Sequence, residues 1–106
     1  MVKFLITGSY TTDGAKALAK EGGSQRKAAV EKMLGSLGGK LEAFYFAFGD
    51  SDIYVIADVP DTTSGAALSL AVNASGMVKI NSVLLMTAEE VDAACKKTVN
   101  YRAPGR

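Results

Sequence analysis

The sequence contains no histidine and a single cysteine, Cys95. The first absence removes the commonest general base near neutral pH, every histidine-assisted serine or cysteine triad within one chain, and the usual zinc and haem ligands. The second excludes an internal disulfide and fits a reducing compartment. No apolar run approaches the roughly 20 residues that cross a bilayer as a helix. The opening MVKFLIT is too short for a signal-peptide core and lacks a cleavage pattern, so the expected location is the cytoplasm. An excess of either charge is also missing. The 12 Lys and Arg against 11 Asp and Glu are scattered, with none of the clustering that phosphate backbones reward, and neither nucleic acid nor a membrane is an expected partner. Chemistry is left to Asp, Glu, Tyr, Lys, Arg or a bound cofactor, and no motif calls for a cofactor.

What is present is the composition of one globular domain. The chain has 106 residues, 48% of them hydrophobic, and at that length about two thirds of the unfolded surface is buried, enough for one core. The reading is a single domain over residues 1–100 and a loose tail over 101–106.

Val2 to Tyr10 has strand composition and runs into Ser9-Tyr10-Thr11-Thr12-Asp13-Gly14, a turn or helix-start signal. A helical region from Gly14 to Leu37 falls in two pieces, broken around Glu21-Gly22-Gly23-Ser24. In the second piece Val30, Met33, Leu34 and Leu37 form an i, i+3, i+4, i+7 stripe, which Gly38 and Gly39 end. Lys40 to Phe48 and Asp52 to Val59 read as a hairpin joined by Gly49-Asp50-Ser51. Asp61 or Thr62 caps a helix to about Ser75, Gly76 ends it, and Met77 to Met86 is a fourth strand. Thr87-Ala88-Glu89-Glu90 fits a capping box opening a last helix to about Lys97. The order is βαββαβ with an additional C-terminal helix, an α+β ferredoxin-like arrangement.

Both faces of the strands are apolar. Strict alternation places Leu41, Ala43, Tyr45 and Ala47 on one face and Glu42, Phe44, Phe46 and Phe48 on the other, while Ile53, Val55 and Ala57 alternate with Tyr54, Ile56 and Asp58. Crossover helices cover one face only, so a second copy is expected on the other, Phe46 included, as a symmetric homodimer or a larger ring. Glu42 and Asp58 then need solvent or a partner, and a Lys or Arg across the dimer would serve either.

YTTDG at 10–14, LGGKLEAFYFAFGDSD at 37–52, DVPD at 58–61 and GMVKINSVLL at 76–85 together resemble the GYD domain family, of the dimeric α+β barrel superfamily. Ser51 stands where that family usually has tyrosine. The resemblance implies a barrel dimer with a small-molecule pocket between sheet and helices. The superfamily spans cofactor-free monooxygenases, isomerases, haem enzymes and ligand-binding regulators, so it gives a fold and no activity.

In such a cleft the polar groups are the ones to suspect. Arg26 has a fork suited to a carboxylate or phosphate, Tyr10 a hydroxyl donor, and Asp52 a carboxylate that burial would turn into a base; Tyr45 and Tyr54 are the further aromatic candidates for a pocket wall. Asp50 and Asp52, about 7 Å apart on one side of an extended segment, have a cation's spacing. Ile53 and Tyr54 then break any calcium-loop pattern, so no metal is expected, and Asp50 with Ser51 reads as a turn hydrogen-bonding its own backbone. GSLGGK at 35–40 runs helix to strand, the wrong order for a phosphate loop, and is a helix stop. Cys95, on a stripe with Val91 and Ala94, reads as an inert packed thiol. Two functions fit: a homodimeric protein binding a small organic, anionic or aromatic molecule, extending to a cofactor-independent enzyme, or a non-catalytic oligomerisation module. Asp50→Asn is expected to leave the metal content of the purified protein unchanged; loss of a stoichiometric cation by elemental analysis would overturn the turn reading.

Overall fold

A computed structural model describes residues 1–106. The elements follow the order β1 (Val2–Tyr10), α1 (Thr12–Glu21), α2 (Gly23–Ser36), β2 (Lys40–Phe46), β3 (Ile53–Val59), α3 (Thr62–Ala74), β4 (Val78–Leu85) and α4 (Ala88–Cys95). The four strands form one antiparallel sheet in the order β2-β3-β1-β4. This is the ferredoxin-like α+β arrangement, with the first crossover helix split in two at Gly22.

The caps act where their side chains allow. Asp61 Oδ1 accepts the Ser64 N–H at 2.8 Å, which holds the Asp61 carboxyl below its usual range. Thr87 and Glu90 complete a reciprocal capping box on α4. After α2 the chain reverses through Gly38 at φ 76°, and the Gly39 N–H returns to the Leu34 carbonyl at 2.8 Å, a left-handed cap that glycine adopts without strain.

The core lies between the sheet and α1 to α3. Ile6, Ile53, Val55, Ala57, Val59 and Ile80 supply its sheet side, Leu34 and Leu68 its helix side. α1 seats on the start of β4 through YTTDG. The Thr11 N–H donates to the Met77 carbonyl at 3.0 Å, the Thr11 hydroxyl donates to Gly76 O at 2.9 Å, and the same oxygen caps α1 by accepting the Gly14 N–H. A Cβ on Gly14 would stand 1.7 Å from the Met77 carbonyl oxygen, so the approach requires glycine. α3 is tied to β4 by Asn73, which accepts the Ile80 N–H at 2.7 Å and so covers part of an edge strand.

Three sequence expectations change. First, strict alternation fails in β2. The register jumps between Leu41 and Ala43, a bulge at Glu42 that flips side-chain parity. Leu41, Phe44 and Phe46 consequently share the helix-covered face, opposite Ala57, Val55 and Ile53, so Phe46 is not on the outer face. Glu42 and Asp58 both find Lys3 of their own chain, at 2.8 and 3.0 Å, and these bonds hold the Lys3 ammonium above its ordinary range. Second, β2 stops at Phe46, with Phe48 in the left-handed region at φ 56°. Third, Cys95 is exposed rather than packed, because no residue of α4 is buried. With α4 standing off the sheet the molecule is 57 Å long and its radius of gyration is 17.0 Å, where a compact chain of this length has about 13 Å.

The uncovered sheet face carries Leu5, Ala43, Tyr45, Tyr54, Ile56, Val83 and Leu85, with Tyr45 directly opposite Tyr54. The uncovered side thus has an apolar centre, as the sequence suggested, with Lys3 and Asp58 toward one end and Thr7, Asn81 and Lys79 toward the other.

Two glycine substitutions are expected to act with opposite sign. Gly14→Ala drives a methyl into backbone and should destabilise by about 3 kcal/mol, the upper end for overpacking. At Gly35, on α2 with nothing within 4 Å of the added Cβ, alanine should stabilise by about 0.5–1 kcal/mol. Urea midpoints of the two variants check this, and a harmless Gly14→Ala would refute the seating of α1.

Candidate functional site

Between the sheet and α1 to α3 lies a cavity of about 350 Å³. Its floor is apolar sheet, including Ile6, Val55 and Ile80; its roof includes Leu18, Val30, Met33 and Leu68. Four side chains bring polar atoms to it: Tyr10, Glu21, Arg26 and Ser75. Ser75 is already satisfied, donating to the Val72 carbonyl at 2.7 Å and accepting the Met77 N–H at 3.2 Å. That leaves Tyr10, Glu21 and Arg26.

Arg26 is in the first turn of α2 and Glu21 ends α1. On one continuous helix residues five apart point about 140° away from each other. The break at Gly22, φ 87°, brings them together instead, with Arg26 Nη1 3.7 Å from Glu21 Oε2. That is an ion pair beyond hydrogen-bond distance. Arg26 Nε is buried and has no hydrogen-bond partner. A buried donor left unpaired costs about 1–3 kcal/mol, although the Arg26 side chain as a whole stays partly exposed.

Tyr10 ends β1 and separates this cavity from a second, more open hollow of about 610 Å³ bounded by Phe46, Phe48 and Asp52. Burial raises the Tyr10 phenol above its ordinary range, the Arg26 charge opposing this and the charges of Glu21 and Asp52 adding to it. It is therefore a neutral hydrogen-bonding group at physiological pH.

Asp52 has a different task from the base expected of it. Its carboxylate accepts the Tyr10 backbone N–H at 2.8 Å while its own N–H donates to Gly8 O at 2.7 Å. These bonds continue the β1 and β3 pairing past its last ladder residues, Gly8 and Ile53, and fix the backbone from which Tyr10 projects. Asp52 borders the open hollow and not the apolar cavity.

The hairpin turn is closed by backbone. The Ala47 N–H donates to Asp52 O at 2.9 Å and the Gly49 N–H to Ser51 O at 3.2 Å; the side chains of Asp50 and Ser51 do not form the expected turn bonds, and Asp50 is exposed. Phe48 instead stacks on Phe46, 5.8 Å between ring centres. No three acidic, histidine or cysteine side chains converge to hold a metal ion. Tyr45 and Tyr54 lie on the uncovered face of the sheet, 70% and 39% exposed, and line neither cavity. Of the expected site residues, Tyr10 and Arg26 meet at the cavity, with Asp52 behind Tyr10. Glu21 is not among the residues the sequence singles out, because there it marks only a helix end; the available signal is the glycine break at Gly22, four residues before Arg26.

The raised Tyr10 value has a pH consequence. A phenol whose folded-state value lies above its unfolded value contributes stability fully present below about pH 10 and lost as the pH rises through the folded value. In an alkaline titration a late part of the phenolate absorbance should appear above the ordinary tyrosine range, and Tyr10→Phe should remove it. Survival of the late part in that variant would contradict the assignment.

No helix is long and apolar enough to cross a membrane. No curated protein and no solved structure matches the chain. A family model described as the GYD domain matches residues 4–95, from the third residue of β1 to the end of α4, and the chain therefore belongs to the GYD domain family.

Proposed function

We propose that this GYD domain protein is a homodimeric small-molecule-binding protein whose ligand, a small organic molecule, occupies the cavity between the sheet and α1 to α3. The observation that carries the reading is the cavity itself: an apolar space that the chain's own side chains do not fill, with Arg26, whose Nε has no hydrogen-bond partner, in its lining. A domain built only to oligomerise gains from closing such a void, since unfilled apolar volume forfeits contacts on all sides. Catalysis without a cofactor would be an extension of this reading. It would draw a base from Glu21, because Asp52 is engaged with backbone and burial keeps the Tyr10 phenol neutral.

The uncovered face supports the dimer. Leu5, Ile56 and Val83 lie in one row across three strands, flanked by Ala43 and the Tyr45–Tyr54 pair, and an apolar sheet face of this kind gains most from a self-complementary partner. α4 favours the second reading, an assembly module: an exposed helix on an elongated chain suits contacts between copies. The two readings share the dimer and differ in the cavity.

Ile56 sits at the centre of the face, so Ile56→Asp should separate the copies. Sedimentation of the unaltered protein is expected at twice the 11.0 kDa chain mass and of the variant at the single mass, with the circular dichroism of a folded sheet. A monomer from the unaltered protein would contradict the dimer.

A further inference from the structure

We infer that the cavity takes a compact monocarboxylate, its head side-on against the Nε–Nη2 edge of Arg26, and that Glu21 sets specificity by limiting the ligand to one negative charge. The inference rests on the cavity being a ligand site, as proposed above, and concerns which chemistry that site selects.

The guanidinium presents two parallel pairs of donors, and a planar carboxylate matches either pair with two bonds at once. Glu21 occupies the Nη1 side, at 3.7 Å. Nη1 lies cis to Cδ and so on the opposite side from the Nε–H, which leaves the edge made by Nε and Nη2. On that edge Nε is buried and unpartnered. The free donors, the cavity and the loose pairing with Glu21 thus point to one docking mode.

Charge narrows the class further. Arg26 and Glu21 are the only charged residues lining the cavity, and their charges cancel. A monocarboxylate leaves the site with a single net negative charge, whereas a phosphate monoester brings up to two and faces the Glu21 carboxylate at close range, where repulsion is strongest. Repulsion from a fixed like charge is a means of rejecting a competitor without a new attractive contact. The Tyr10 hydroxyl, on the same wall, supplies a neutral third group for the carboxylate.

Size limits the body. A space of about 350 Å³ is at the small end of the pockets that hold small molecules, which suits one ring with a short side chain. The apolar floor and roof favour a body without hydroxyls.

The test titrates isotope-labelled protein with three probes: 3-phenylpropanoate, the neutral 3-phenylpropan-1-ol and phenyl phosphate, following backbone amide shifts at Ile6, Val55 and Val72. The acid is expected to bind about tenfold or more tighter than the alcohol. Arg26→Gln should erase that advantage while leaving the alcohol's affinity in place, and Arg26→Lys should restore only part of it, since an ammonium has charge without the paired edge. Glu21→Gln should reduce the discrimination against phenyl phosphate. If the acid keeps its advantage in Arg26→Gln, the carboxylate assignment fails while alcohol binding still supports the cavity as a site. If phenyl phosphate matches the acid in unaltered protein, the role of Glu21 fails. If none of the probes moves the cavity amides, the ligand-site reading falls as well.

Discussion

The approach of α1 to the Met77 carbonyl is the contact on which the rest of the site depends. Thr11 bonds to the turn before β4 through its backbone and its hydroxyl, and Gly14 comes so close that no side chain fits there. With its start pinned, α1 spans the sheet at a fixed height, and the space beneath becomes the cavity. Its far end places Glu21 beside Arg26 across the Gly22 break. On the other side Asp52 fixes the end of β1 and hence Tyr10. Two stretches far apart in sequence, YTTDG and the turn around GDSD, thereby serve one wall.

The sheet imposes a second constraint. Apolar side chains occupy the centre of both faces, and the chain brings helices to one. The ion pairs of Lys3 with Glu42 and Asp58 sit at one end of the uncovered face. Exposed pairs of this kind contribute little to stability, but in the proposed dimer they would favour one register, because a shifted partner would set an apolar side chain against them. α4, capped well and packed against nothing, has the same character: a formed element whose apolar side, including Val91, is left open.

Much of this was legible in the sequence, and the reasons are local. Caps are written in single residues, as at Asp61 and Thr87, and strand order follows from the alternation of element types. The helix break at Gly22 and the stop at Gly38 were equally plain. What escaped was whatever depends on a distant partner. The bulge at Glu42 reverses the parity of β2, and nothing near residue 42 announces it. The packing of α4 was misread because an apolar stripe shows that a helix has a sticking side and not what it sticks to, which is also why Cys95 was taken as buried. Tyr45 and Tyr54 were placed at a pocket by their aromatic character alone, whereas the pleat puts them on the opposite face. Arg26 and Tyr10 were recognisable as polar groups near an apolar cleft; that Glu21 joins them depends on the angle between two helices.

The central claim is that the cavity behind Tyr10 holds a small organic molecule in a dimeric protein. Native mass spectrometry of freshly purified protein tests it in one spectrum. The account predicts a species at twice the chain mass carrying a reproducible small-molecule adduct, or taking one up from an added compact aromatic acid and releasing it on gentle collisional activation. A bare species at the single chain mass that takes up nothing would contradict it.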